Sequence, residues 1–208
     1  MRATAMVMGL CLALGCSRSS APAVAAPVAA PVAAPVVVAA APAGQASAGA
    51  LTVTSPVRAT IVAQGEAAPN FQATTHDGHA VESNGGARAK VLVLYFYPRD
   101  ETPGCTREAC AFRDAFSAYT EANAEIFGVS TDPVDAHRGF AQHHQLPFGL
   151  IADTDGRLAG AFGVAVNSGY TARTTVVIGR DGHVARVFPD VSVDGHSAEV
   201  LAAVRAAR

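Results

Sequence analysis

A run of lysine and arginine interleaved with aromatic residues is missing from this chain, whose 15 basic and 17 acidic side chains leave a net charge of −2. Nucleic acid, gripped through its phosphates by clustered cations, is therefore not an expected ligand. Cysteine is scarce: Cys11, Cys16, Cys105 and Cys110 are the four, and neither close pair has the C-x-x-C spacing that a thiol-disulfide exchange enzyme favours. Residues 17–50 have almost no charge and no aromatic side chain, so they lack what a core requires. The apolar run at 6–15 follows a single arginine and is too short to cross a bilayer, which takes about 20 residues.

What is present is concentrated in residues 91–119. The stretch VLVLYFY at 91–97 is apolar or aromatic without alternation, the pattern of a strand buried on both faces. After PRDETPGC, the residues Ala109, Phe112, Ala115, Phe116 and Tyr119 recur at three- and four-residue steps, as on one face of a helix. Thr102 and Pro103 fit an N-cap and a proline at the first helical position, which puts Cys105 at the third. The first turn of a helix leaves backbone N–H groups unpaired at the positive end of the helix dipole, so a thiolate is favoured there. On local pattern alone Cys105 is equally a nucleophile or a small buried hydrophobe.

The joint pattern Pro98-x-x-x-Thr102-x-x-Cys105 after a hydrophobic strand resembles the peroxidatic motif of the peroxiredoxins, and YFYPRDETPGCTREACAFRD is similar to the bacterioferritin-comigratory-protein group, also called peroxiredoxin Q. The resemblance continues through GEAAPNF at 65–71, residues 130–164 and ARTTVVIGRDGHV at 172–184. It implies a peroxidatic Cys105 held by the Thr102 hydroxyl and by Arg173, with Pro98 closing the pocket to water. It also implies Cys110 as the resolving partner in an intramolecular disulfide, a thioredoxin or thioredoxin-like reductant, a peroxide substrate and a monomer. As sulfur attacks one peroxide oxygen the other leaves as an anion, so fixed donors along that axis lower the barrier. Arg173 carries a permanent charge and several N–H groups for that role; the other reading of it is a surface arginine at a strand start. Glu108 is read either as orienting an arginine or as a solvated carboxylate, and it is not counted among the catalytic residues.

Five residues along an ideal helix leave Cα atoms about 8 to 9 Å apart, beyond the ~7 Å a disulfide allows. A Cys105–Cys110 disulfide therefore requires the start of the helix to unwind; otherwise Cys110 is inert packing. The cycle from thiol to sulfenic acid to disulfide implies no metal, haem or flavin. Two rivals remain: an exported copper carrier of thioredoxin-like fold, which usually has three residues between its cysteines where this chain has four, and a thiol-disulfide exchange protein.

Residues 1–15 read as a signal peptide ending in LALGC, which resembles a bacterial lipobox with Ala13 where leucine is usual; Cys16 would then carry the lipid. Residues 16–50, rich in alanine and proline, read as a disordered tether, and residues 51–208 as one domain. An exported protein, periplasmic or anchored in a bacterial envelope, is expected. The domain is expected to be α/β with a thioredoxin-like fold, a central mixed sheet flanked by helices. Its elements are expected as a strand within 51–62, strands at 124–130, 148–152, 174–178 and 183–188, and helices at 133–145, at 157–162 and from His196. His143 and His144, adjacent on a helix, do not share a face, which argues against a joint metal site. DTDG at 153–156 resembles the start of a calcium loop but lacks the later glutamate, so a turn with a helix cap explains it.

Overall fold

A computed structural model describes residues 48–83 and 88–207. The expected signal peptide, Cys11, Cys16 and the linker as far as residue 47 lie outside the described residues. In chain order the strands are β1 (Leu51–Val53), β2 (Phe71–Thr74), β3 (Ala80–Ser83), β4 (Val91–Phe96), β5 (Ala124–Ser130), β6 (Gly149–Ala152), β7 (Val166–Asn167), β8 (Tyr170–Thr171), β9 (Thr174–Ile178) and β10 (Val184–Phe188). The helices are α1 (Pro103–Asp114), α2 (Phe116–Glu121), α3 (Val134–His144), α4 (Arg157–Phe162) and α5 (His196–Ala206).

The main sheet has the order β10-β9-β4-β5-β6, with β4, β5 and β6 parallel to one another and β9 antiparallel to β4. This is the expected mixed sheet of a thioredoxin-like fold. All six residues of β4 are buried, and the alternation of a strand sends them into two separate cores. Leu92, Leu94 and Phe96 pack with Phe127, Val129 and Ile151 beside α4 and the small sheet β1-β2-β3. Val91, Val93 and Tyr95 pack on the other face with Phe112, Tyr119, Phe140 and Val200, which belong to α1, α2, α3 and α5. An unbroken apolar run is what a strand covered on both sides needs.

Close approach accounts for one glycine. Gly128 stands opposite Tyr95 in the β4–β5 register, and a Cβ there would meet the Tyr95 hydroxyl at 2.7 Å. Gly163 serves differently, ending α4 in the left-handed conformation at φ +69, where a side chain would strike the carbonyl of Thr60.

The early strand foreseen within 51–62 is β1, which takes only the first three of those residues. Two other points differ from expectation. The amphipathic run after Cys105 is two helices rather than one, since Ala115 at φ −94 and ψ 2 interrupts the helix while the buried face continues to Tyr119. Strands β2, β3, β7 and β8 had no expected counterpart; each has four residues or fewer, too short for alternation to register.

Candidate active site

The antiparallel pairing of β4 with β9 sets Phe96 opposite Thr174, so the start of β9 lies beside the end of β4. The residue before Thr174 is Arg173, and the chain leaving β4 turns through residues 97–102 into α1. A sequence separation of 68 residues is thereby closed, and Arg173 Nη2 donates to Cys105 Sγ at 3.2 Å. Cys105 is 1% exposed and Cys110 partly buried, and the two are not joined in a disulfide.

The helix start is as the sequence indicated: Thr102 is the N-cap, Pro103 opens the first turn and Cys105 is the third residue. The first bond of the ladder runs from Thr106 N–H to the Thr102 carbonyl at 2.8 Å, which leaves the amides of Gly104 and Cys105 outside it. Gly104 also makes room for the guanidinium, because a Cβ there would sit 3.3 Å from Arg173 Nη2. One expected contact is different. The Thr102 hydroxyl donates to the Arg99 carbonyl at 3.0 Å and supplies no cap, so the hydrogen bond to the sulfur comes from Arg173. Pro98 is partly buried at the strand exit.

Glu108 is the residue that sequence reasoning undervalued. Its side chain is 1% exposed and forms an ion pair with Arg173 Nη1. One turn beyond Cys105, Glu108 falls on the same face of α1, so the guanidinium reaches both groups. The i, i+3 spacing was the available signal, but only the arrival of Arg173 distinguishes a buried partner from a solvated carboxylate. Burial pushes the Glu108 carboxyl up to about 7 against the pull of Arg173. Arg173 responds in the opposite sense: burial works against its charge, and Glu108 with Cys105 outweighs it and holds the guanidinium above its usual range.

The loop is tied down from inside. Tyr97 Oη donates to Asp100 Oδ1 at 2.7 Å, and His137 Nδ1 lies 2.8 Å from Asp100 Oδ2. The other nitrogen of His137 faces the Ile151 carbonyl at 3.2 Å, and the Asp100 amide donates to Asp132 Oδ2 at 2.9 Å. The Thr171 hydroxyl donates to the Tyr97 carbonyl at 2.6 Å. This network was not visible in the sequence, since its members come from four separate segments. His143 and His144, set aside as facing apart, both reach Glu101 on the exposed side of the loop. The DTDG turn is as expected: Asp153 accepts from the Leu158 and Ala159 amides at 2.9 and 2.8 Å, anchoring the start of α4.

His196, at the start of α5, accepts or donates at Thr175 Oγ1 over 2.8 Å and meets Phe112 and Phe188 edge-on. Burial, and then the charge of Arg173, lowers its pKa to about 4. The imidazole stays neutral in the folded protein while the unfolded chain takes up a proton near 6.5. Its contribution is full above that value and is lost as pH falls toward 4, up to about 2–3 kcal/mol. Glu108 acts with the opposite sign, full below its unfolded value and lost as pH rises through 7. Urea unfolding should therefore show the stability gap between wild type and His196→Gln narrowing as pH falls from about 6.5 to about 4. A gap independent of pH would contradict the neutral imidazole.

Residues 64–187, more than half of the chain, match the model of the AhpC/TSA family. The chain is 45% identical over 103 residues to chloroplastic peroxiredoxin Q of Triticum aestivum, a match covering 50% of this chain and 47% of that protein. It thus spans about half the length of that relative. Peroxidoxin BcpB from Mycobacterium tuberculosis superposes with a TM-score of 0.64 at 35% identity, covering 70% of this chain and 97% of that one. A Xanthomonas campestris bacterioferritin comigratory protein, studied for alkyl peroxide reduction, gives a TM-score of 0.58 at 30% identity, covering 74% of this chain and 98% of that one. By the extent of that family match and the fold it shares with these structures, the chain belongs to the AhpC/TSA family.

Proposed function

We propose that the chain is a thiol-dependent peroxidase of the peroxiredoxin Q type, an inference that the hydrogen bond from Arg173 to Cys105 at the head of α1 carries. The Cys105 thiolate attacks one peroxide oxygen; the S–O bond forms, the O–O bond breaks, and the leaving oxygen takes a proton from solvent as water or alcohol. Arg173 and the first-turn amides of α1 stabilise the charge that moves from sulfur to the leaving oxygen. Thr102 positions peroxide at the helix cap, and Pro98 limits water at the strand exit. The Cys110 thiolate then attacks the sulfenic sulfur, expelling hydroxide and leaving a disulfide. A dithiol reductant, thioredoxin or a thioredoxin-like protein, returns both cysteines to thiols by exchange.

Hydrogen peroxide and organic hydroperoxides are both candidate substrates, the second supported by the alkyl peroxide reduction described for the Xanthomonas structure. The copper reading is the weaker one. Its metal would need a ligand beside Cys105, where this fold puts the Arg173 cation. A monomeric domain from residue 51 onward, exported behind residues 1–15 and tethered by 16–50 to a lipid on Cys16, completes the proposal.

Cys105 and Cys110 lie within the one continuous helix α1, so resolution requires its first turns to open. One equivalent of peroxide added to the reduced full chain should consume both thiols faster than a free thiol reacts and yield one Cys105–Cys110 disulfide by peptide mapping. Cys110→Ser should consume peroxide once and form no such disulfide. A wild-type rate equal to that of a free thiol would remove the peroxidase reading, and an undiminished intramolecular disulfide in Cys110→Ser would remove the resolving role.

A further inference from the structure

Glu101, in the loop between β4 and α1, has φ +59, a left-handed backbone that glutamate seldom adopts. Its neighbours are anchored on either side, Asp100 in the buried Tyr97–His137 network and Thr102 at the cap of α1. The two carboxylate oxygens meet two imidazoles: Oε1 lies 3.1 Å from His143 Nδ1 and Oε2 lies 3.0 Å from His144 Nε2. Adjacent helical residues converge here because they are the last two of α3 and reach with different ring nitrogens. Their ring centroids are 4.3 Å apart.

The three residues differ in freedom. The His144 side chain is 17% exposed and stands edge-on to Phe140, and its carbonyl accepts from Arg113 Nη1 at 2.9 Å. His143 is 68% exposed and able to adjust. One donor atom from each residue lies within 4.8 Å of the others, and among the described residues this is the one such group of three. Tetrahedral zinc, with bonds of about 2.0–2.1 Å, sets neighbouring donors roughly 3.4 Å apart. Measured to the one oxygen Oε2, His143 Nδ1 at 3.3 Å and His144 Nε2 at 3.0 Å are already close to that spacing, so small shifts of exposed side chains admit an ion in place of the hydrogen bonds. Two imidazoles and a carboxylate suit a borderline divalent ion better than a hard one.

We propose that Glu101, His143 and His144 form a binding site for a divalent transition-metal ion, zinc above all, with a fourth position open to solvent. The site is separate from Cys105 but mechanically joined to it. An ion held there ties the loop four residues ahead of Cys105 to the end of α3, and so restrains the segment that must open for the Cys105–Cys110 disulfide. That consequence rests on the peroxidase reading; the binding itself does not.

The test uses the full chain without a polyhistidine tag and with Cys11, Cys16, Cys105 and Cys110 all replaced by serine, so that no thiolate competes and no peroxidase activity is read. Calorimetric titration with zinc should give one ion per chain, weakened at least about tenfold in each of Glu101→Gln, His143→Ala and His144→Ala. Amide exchange across residues 99–104 should slow when zinc is added. Glu101 and His143 are exposed, so their variants remain decisive where His144→Ala, packed on Phe140, fails to fold. Absence of saturable binding, or wild-type affinity in Glu101→Gln or His143→Ala, would overturn the proposal and leave an ordinary hydrogen-bonded surface cluster.

Discussion

Replacing Cys105 with serine is expected to slow reaction with hydrogen peroxide at least about a thousandfold while the chain stays folded. The loss is chemical. A serine hydroxyl is hardly ionised at neutral pH even with a guanidinium beside it, and oxygen is the poorer nucleophile toward an O–O bond. The fold survives because the oxygen is smaller than the sulfur it replaces and still accepts from Arg173 Nη2, so the buried site keeps a hydrogen bond. Stopped-flow peroxide consumption beside a thermal melt separates the two effects. Retention of more than a few percent of the wild-type rate by a folded Cys105→Ser chain would remove Cys105 as the nucleophile.

The second large effect is expected at Arg173. Arg173→Gln should lower the peroxide rate by about 10²- to 10³-fold, the range seen when one preorganised donor to a developing anion is removed. It also strips Glu108 of its cationic partner. Glu108 is almost fully buried, and its Oε1 has no hydrogen-bond partner among the described residues even in the intact pair. Breaking such a pair from one side costs about 3–5 kcal/mol when the remaining charge stays buried. Here the loss should fall below that range near neutral pH, because a carboxyl already raised to about 7 escapes by taking a proton. Stability of Arg173→Gln should accordingly fall further as pH rises above 7. The double variant Arg173→Gln with Glu108→Gln should recover the stability and not the rate. Recovery of both would mean that Arg173 acts only through packing, and Arg173→Lys, with charge but no planar fork, should lie between wild type and Arg173→Gln.

Elements bounded by strong local signals were legible in the sequence. Strands β5 and β9 and helix α4 have the limits expected from it, and α5 begins at His196 as foreseen. The N-cap position of Thr102, the proline at Pro103 and the third-residue position of Cys105 followed from residue types, although the Thr102 hydroxyl makes no capping bond and turns to the Arg99 carbonyl instead. The short strands β2 and β3 escaped, since Phe71–Thr74 and Ala80–Ser83 become strands by pairing with each other and with β1. The helix break at Ala115 escaped too, having neither glycine nor proline to mark it.

By itself, then, the sequence determined the central buried strand, the cysteine at the head of the following helix and the spacing that bars a Cys105–Cys110 disulfide in a regular helix. These are consequences of periodicity, capping and covalent geometry, which act over a few residues. Tertiary structure alone decided which charges meet. The β4–β9 register brings Arg173 to Cys105 and buries Glu108 against it, and the end of α3 arrives beside the loop to join His143 and His144 to Glu101. A solvated carboxylate and a buried one look alike along the chain, because the difference is made by a partner more than forty residues away.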